Sequence, residues 1–140
     1  MANTQTQPVG AATEAEEELQ LAPYGVTLAQ SILIHAVKEF RPEKRVRKKL
    51  FEGAQLWCEM VCFEPGQGTP KHVHPREDEL FFVVDGQASM AVGDQEFQAA
   101  AGSLITAPAT VPHDLRNTGH ERLVVVFVKL SRAFGKQPKA

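Results

Sequence analysis

The chain has 140 residues, enough for one domain with a real core and short for two. Hydrophobic residues make up 43% and charged residues 23%, an ordinary globular balance that argues against a disordered or fibrous chain. A formal net charge of −2 is too mild to imply a polyanionic partner for the whole protein.

Residues 1–20 combine Gln, Thr, Ala and Gly with an acidic cluster at Glu14, Glu16, Glu17 and Glu18, and are expected to form a disordered tail. They carry neither a basic n-region nor an apolar h-region, and no apolar run is long enough to span a membrane. The expected location is therefore the cytoplasm, with no membrane partner. Residues 21–140 are expected to form a single domain. Within it, residues 26–39 suit a buried strand and a short helix equally, because Ile32, Ile34 and Ala36 alternate with Leu33, His35 and Val37. His35 has no chelating neighbour and reads as a structural histidine. The basic run Lys44, Arg45, Arg47, Lys48 and Lys49 reads as protection of an exposed edge strand. No aromatic stacking platform accompanies it, so no nucleic-acid partner is expected.

From about residue 46 the sequence becomes strand-like. Candidate strands are 46–51, 55–64, 79–85, 87–93, 95–98, 103–107, 113–117 and 122–130, most of them separated by turn signals such as PGQGTP, DG, GD and PATVP. Many short strands at close spacing predict an all-β antiparallel sandwich or barrel. Cys58 and Cys62 lie on one face of a candidate strand, too far apart for easy bridging, and read as small buried hydrophobes. Trp57, Met60, Phe63, Phe81, Phe82, Met90 and Phe97 read as core or cavity lining.

Four ligand-type residues stand in and around the best strand text. His72 and His74 are two apart, so on an extended chain their imidazoles point to one side. The PRED turn follows, and Glu79 opens the next strand on the face shared by Phe81 and Val83. Glu77 and Asp78 stand beside Glu79 as alternative carboxylates. His113 begins another strand after a Pro-rich turn, and Gly66, Gly68 and Pro70 shape the approach loop. Three imidazoles and one carboxylate suit one divalent transition metal ion such as Mn, Fe, Co, Ni or Zn. Only neutral imidazole and ionised carboxylate bind, so affinity should fall below about pH 6. His120, in the NTGHE turn, is expected to be exposed.

These segments resemble the two signature motifs of the cupin superfamily. Gly66, His72, His74, Glu79 and Gly86 stand at the fixed positions of the first motif, and Gly102, Pro108, His113 and Asn117 at those of the second. Thr110 stands where the family prefers glycine, which bears on a turn and not on a ligand. The motif region is 66–117, with a short stretch between the motifs, as in small single-domain bacterial cupins. The resemblance implies a jelly-roll-like double-stranded β-helix, ligand roles for His72, His74, Glu79 and His113, and a homodimer. It fixes no reaction, because similar barrels host many chemistries. A metal with open positions in an apolar pocket favours an enzyme acting on a small oxygenated substrate, with dioxygenase-type C–C cleavage first. The alternatives are an isomerase or lyase and a non-catalytic binding or regulatory module. No separate general acid or base is evident, and Glu59 and Arg47 are weak candidates for supporting the ligands.

Overall fold

A computed structural model describes residues 29–132. The tail expected over residues 1–20 lies outside the described residues. The open choice over 26–39 resolves to a single helical turn, α1 (Ile34–Val37), for the part described. Leu33 at its N-cap makes no side-chain capping bond, so the turn is held by packing. Ile32, Ile34, Val37 and Phe40 lie against Val46, Leu50, Met60, Cys62 and Val124 on the outside of a sheet. No helix among the described residues is long and apolar enough to cross a membrane.

Eight antiparallel strands follow: β1 (Val46–Glu52), β2 (Leu56–Phe63), β3 (Glu77–Asp85), β4 (Gln87–Val92), β5 (Gln95–Ala100), β6 (Leu104–Ala107), β7 (His113–Arg116) and β8 (Leu123–Ser131). All eight candidate strands are present, with ends shifted by one or two residues. The PRED segment is the exception to its reading as a turn: Glu77 and Asp78 already belong to β3. A five-stranded sheet runs β1-β2-β8-β3-β6, and a three-stranded sheet runs β5-β4-β7. This is the antiparallel double-stranded β-helix expected of the sequence. The basic run ends in β1, an edge strand, but Arg45 and Arg47 within it line a cavity between the sheets.

Turn chemistry sets the sheet registers. The β3–β4 corner turns at Gly86, whose φ is +80°, and a Cβ there would sit 2.4 Å from the Arg122 carbonyl oxygen. Only glycine fits that approach. Gly93, with φ +57°, takes the first place of the two-residue β4–β5 turn.

The core lies between the sheets. Period-two alternation sends Phe63 and Val61 of β2, Val83 and Phe81 of β3, and Leu123, Val125 and Phe127 of β8 inward, where Ala88, Met90 and Leu115 of the smaller sheet meet them. Phe63, Val83, Met90, Leu123 and Val125 are fully shielded from solvent. Two residues expected to line the core do not. Phe82 is 46% exposed because it alternates with Phe81 and Val83 and faces outward, and Phe97 is 36% exposed on the edge strand β5. Met60 is buried, but in the second cluster beneath α1 and not inside the barrel.

Candidate metal centre

Residues 66–74 run alongside β7 as an irregular extra strand. The Gly66 amide donates to the Asn117 carbonyl (2.9 Å), the Asn117 amide to Gln67 (2.8 Å) and the Thr69 amide to Leu115 (2.8 Å). His72 and His113 exchange both backbone bonds, at 3.0 and 2.9 Å, so their side chains are cross-strand neighbours. The Thr110 amide then donates to the His74 carbonyl at 2.8 Å. Asn117 also ties this end together, its side-chain amide donating to the Glu121 carbonyl at 2.8 Å.

Thr110 makes its bond from a φ of +72°, the single positive φ outside glycine among the described residues. The turn geometry is thus retained by a β-branched residue in the left-handed region, a conformation that costs about 1–3 kcal/mol.

The four sequence-picked residues meet. One ligand atom from each of His72, His74, Glu79 and His113 lies within 4.8 Å of the others. His74 Nε2 is 2.6 Å and His113 Nε2 3.4 Å from Glu79 Oε1. His72 Nδ1 donates to the Pro70 carbonyl (2.8 Å) and His113 Nδ1 to the Val111 carbonyl (3.0 Å). A carbonyl only accepts, so those nitrogens carry the protons and each Nε2 lone pair is free to ligate. The alternative carboxylates go elsewhere. Asp78 points to the opposite face of β3, where it accepts from the Ala109 amide and from Arg132. Glu77 shares the inward face, but its nearest oxygen stays 4.0 Å from His74 Nδ1.

The donor set fits a divalent cation. Glu79 Oε1 and His113 Nε2 are buried and have no hydrogen-bond partner. A buried carboxylate oxygen facing imidazole lone pairs is a conflict that a cation removes. Burial pulls the His74 imidazole below its usual pKa against the opposing charge of Glu79. Burial works against the Glu79 charge, but His113 and His74 outweigh it and hold the carboxyl below its usual range. Burial also disfavours a charged His113, yet the Glu79 carboxylate and Val111 carbonyl outweigh it and raise that imidazole. Glu79 is therefore ionised at neutral pH, and loading an ion expels any proton held by His113.

The cluster opens on a cavity of about 310 Å3 between the sheets. Val61, Phe81, Leu115 and Phe127 form its apolar wall. Arg45, Arg47 and Lys129 add cations, of which sequence reasoning named only Arg47 as a site candidate. Lys129 was legible in principle: it continues the inward series Val125, Phe127 at the same spacing. Arg47 donates to Glu59 at 2.7 Å, and Glu59 is 5% exposed. That pair forms a neutral unit on β1 and β2, beside the cavity and not among the four clustered residues. His35 lies away from the cluster, exposed and 3.6 Å from Asp85. His120 is exposed in its turn, as expected. Cys58 and Cys62 are free thiols on the outward face of β2.

Known proteins resemble this chain in sequence and fold. Auxin-binding protein 1 of Arabidopsis thaliana is 30% identical over 112 residues, which cover 74% of this chain and 48% of that protein. The chain spans about half the length of the curated relatives it matches. A solved structure from Thermus thermophilus superposes with a TM-score of 0.71 at 24% identity, covering 74% of this chain and 98% of the other. A double-stranded β-helix protein of Klebsiella pneumoniae gives a TM-score of 0.69 at 21% identity, covering 77% and 95%. The family model described as cupin domain matches residues 59–129, a span that includes His72, His74, Glu79 and His113. With the family model matching half of the chain and His72, His74, Glu79 and His113 of the two signature motifs meeting at one end of the barrel, the chain belongs to the cupin family.

Proposed function

We propose that this cupin holds one divalent transition metal ion with His72, His74, Glu79 and His113 and acts on a small oxygenated substrate in the adjoining cavity. The observation that carries this reading is the pair of buried, unpartnered atoms Glu79 Oε1 and His113 Nε2, turned toward one another at the wall of a cavity of about 310 Å3. The ion supplies Lewis acidity or redox capacity when bound. The chain contributes the rest: Pro70 and Val111 orient two imidazoles, and the apolar wall shields the substrate from water. Oxidative C–C cleavage, in which both atoms of O2 enter the products, is the favoured reaction, and a redox-inert ion would instead suit isomerase or lyase chemistry. The likeness to auxin-binding protein 1 favours a second reading, a binding or regulatory protein that holds a small molecule without turnover.

Two further features belong to this proposal. Leu80, Phe82, Leu104 and Leu130 are exposed on the outward face of the larger sheet and support pairing of two copies there. The free thiols support residence in a reducing compartment such as the cytoplasm.

The test is elemental analysis of protein purified without added metal, followed by oxygen uptake with a panel of diketones and catechols. Near-stoichiometric Fe, Mn or Ni with substrate-dependent uptake supports the enzyme. Stoichiometric metal without uptake on any compound favours the binding protein. Replacing His72 and His74 with Ala should abolish metal retention while the barrel stays folded, and retention of stoichiometric metal by that double variant rejects the ligand assignment.

A further inference from the structure

We propose that Lys129 is a built-in counter-charge of the metal centre: its ammonium compensates Glu79 when no ion is bound and opposes an ion that enters, so that the ion is held loosely enough to exchange. This deepens the function proposed above and rests on the ligand assignment made there. Strand register carries the argument. Lys129 is paired with Glu79 on β3 and with Trp57 on β2, so the three residues lie side by side on one rung. Directly paired residues of antiparallel strands project to the same face, with Cβ atoms about 4.5–5.5 Å apart. That face is the inner one, because Lys129, Glu79 and His74 all line the cavity. Trp57 steadies the long lysine side chain, whose ammonium sits 5.0 Å from the centre of the indole ring. Lys49, on the other flank of β2, sits 5.0 Å from the same ring. The other two cations of the cavity stand elsewhere. Arg47 is neutralised by Glu59 at 2.7 Å, and Arg45, one residue ahead of β1, donates to the Gly68 carbonyl at 3.1 Å.

Burial makes that neighbour count. Glu79 is 3% exposed, and charges interact more strongly there than across water. Burial is the largest influence on Glu79 and on His74, and the Lys129 charge acts on both as a smaller one. It favours the ionised carboxylate and opposes a protonated imidazole. Both actions keep the donors in the forms that ligate. The same charge repels a divalent ion with twice the force it exerts on a proton. At neutral pH Glu79 is ionised with or without this help, so the repulsion is what remains. Lys129 thus trades affinity for the ion against a site that is already deprotonated and compensated before the ion arrives.

Titration of the metal-stripped full chain with Co(II), read by the visible absorption of the bound ion, tests the proposal. Lys129→Leu and Lys129→Gln should each bind Co(II) about tenfold or more tightly than the unaltered chain at neutral pH. Lys129→Arg, which keeps the charge, should bind as the unaltered chain does. Equal or weaker binding by the folded neutral variants would overturn the proposal, and so would equally tightened binding by Lys129→Arg. Failure of the metal reading looks different. No uptake of Co(II) by the unaltered chain or by any variant rejects the ion and this inference with it, whereas equal uptake by the unaltered chain and the neutral variants rejects the role of Lys129 alone.

Discussion

The two ends of the barrel are built from the same strands and differ in kind. At one end Phe63, Val83, Leu123 and Val125 of the larger sheet meet Met90 of the smaller one, and solvent reaches none of them. At the other end the inward residues of three neighbouring strands change together. The series Leu123, Val125, Phe127 on β8 ends in Lys129, Val83 and Phe81 on β3 end in Glu79, and Val61 on β2 gives way to Glu59 and Trp57. Register aligns the change, because Trp57, Lys129 and Glu79 are paired on one rung. On these three strands the charged inward residues thus begin at the rung of Phe81 and Phe127, and the packed end supplies the stability that a half-open polar end does not.

That division predicts its largest effect at the packed end. Phe63→Ala should destabilise the fold by about 3–5 kcal/mol, the range for emptying a large buried aromatic site. Denaturant unfolding measures it, and elemental analysis of the folded fraction should find metal content as in the unaltered chain. A variant that stays folded but loses the ion would show that the two ends are coupled and break the comparison.

The sequence exposes the strands and the clustered residues because both rest on short-range periods. Alternation two apart marks each strand, and the same period puts His72 beside His74 and Glu79 beside Phe81. Facing across strands is a different matter. Phe81 and Phe82 are equally apolar, and only register tells which one the second sheet covers. The outward cluster beneath α1 removes the polar face that would have told them apart, since Met60, Cys62 and Val124 are buried on that side as well. Arg45 and Lys129 stayed hidden for a related reason. A lysine at the end of an apolar strand and an arginine in a basic run look solvated until the cavity between them is closed by residues distant in sequence.

A middle-sized effect sits in the loop that serves the open end. Thr110→Gly should stabilise the folded chain by up to about 1 kcal/mol, because relief of the left-handed strain exceeds the entropy that glycine adds to the unfolded chain. Thermal unfolding of the two proteins reads the difference. A loss of stability would mean that the threonine side chain contributes more to the loop than its backbone costs, and the open end would then be less strained than its φ indicates.

The smallest effect lies on the outer side of that same end and depends on pH. Asp78 accepts from Arg132 at 3.0 Å and from the Ala109 amide at 2.8 Å, tying β3 to the loop that leads into His113. The Arg132 bond, followed by the Ala109 bond, holds the Asp78 carboxyl below its usual pKa against partial burial. A carboxyl whose folded-state value is depressed adds stability that is complete above its unfolded value of about 3.9 and is lost as the pH falls through the lower folded value. Asp78→Asn should therefore unfold more easily than the unaltered chain at neutral pH, and the two curves should converge as the solution is acidified through that window. Both side chains of the ion pair are more than a third exposed, so 1 M salt, with a screening length of about 3 Å, should shrink the difference. What survives in salt reflects the Ala109 amide bond, which an Asn oxygen still accepts but without the charge of the carboxylate.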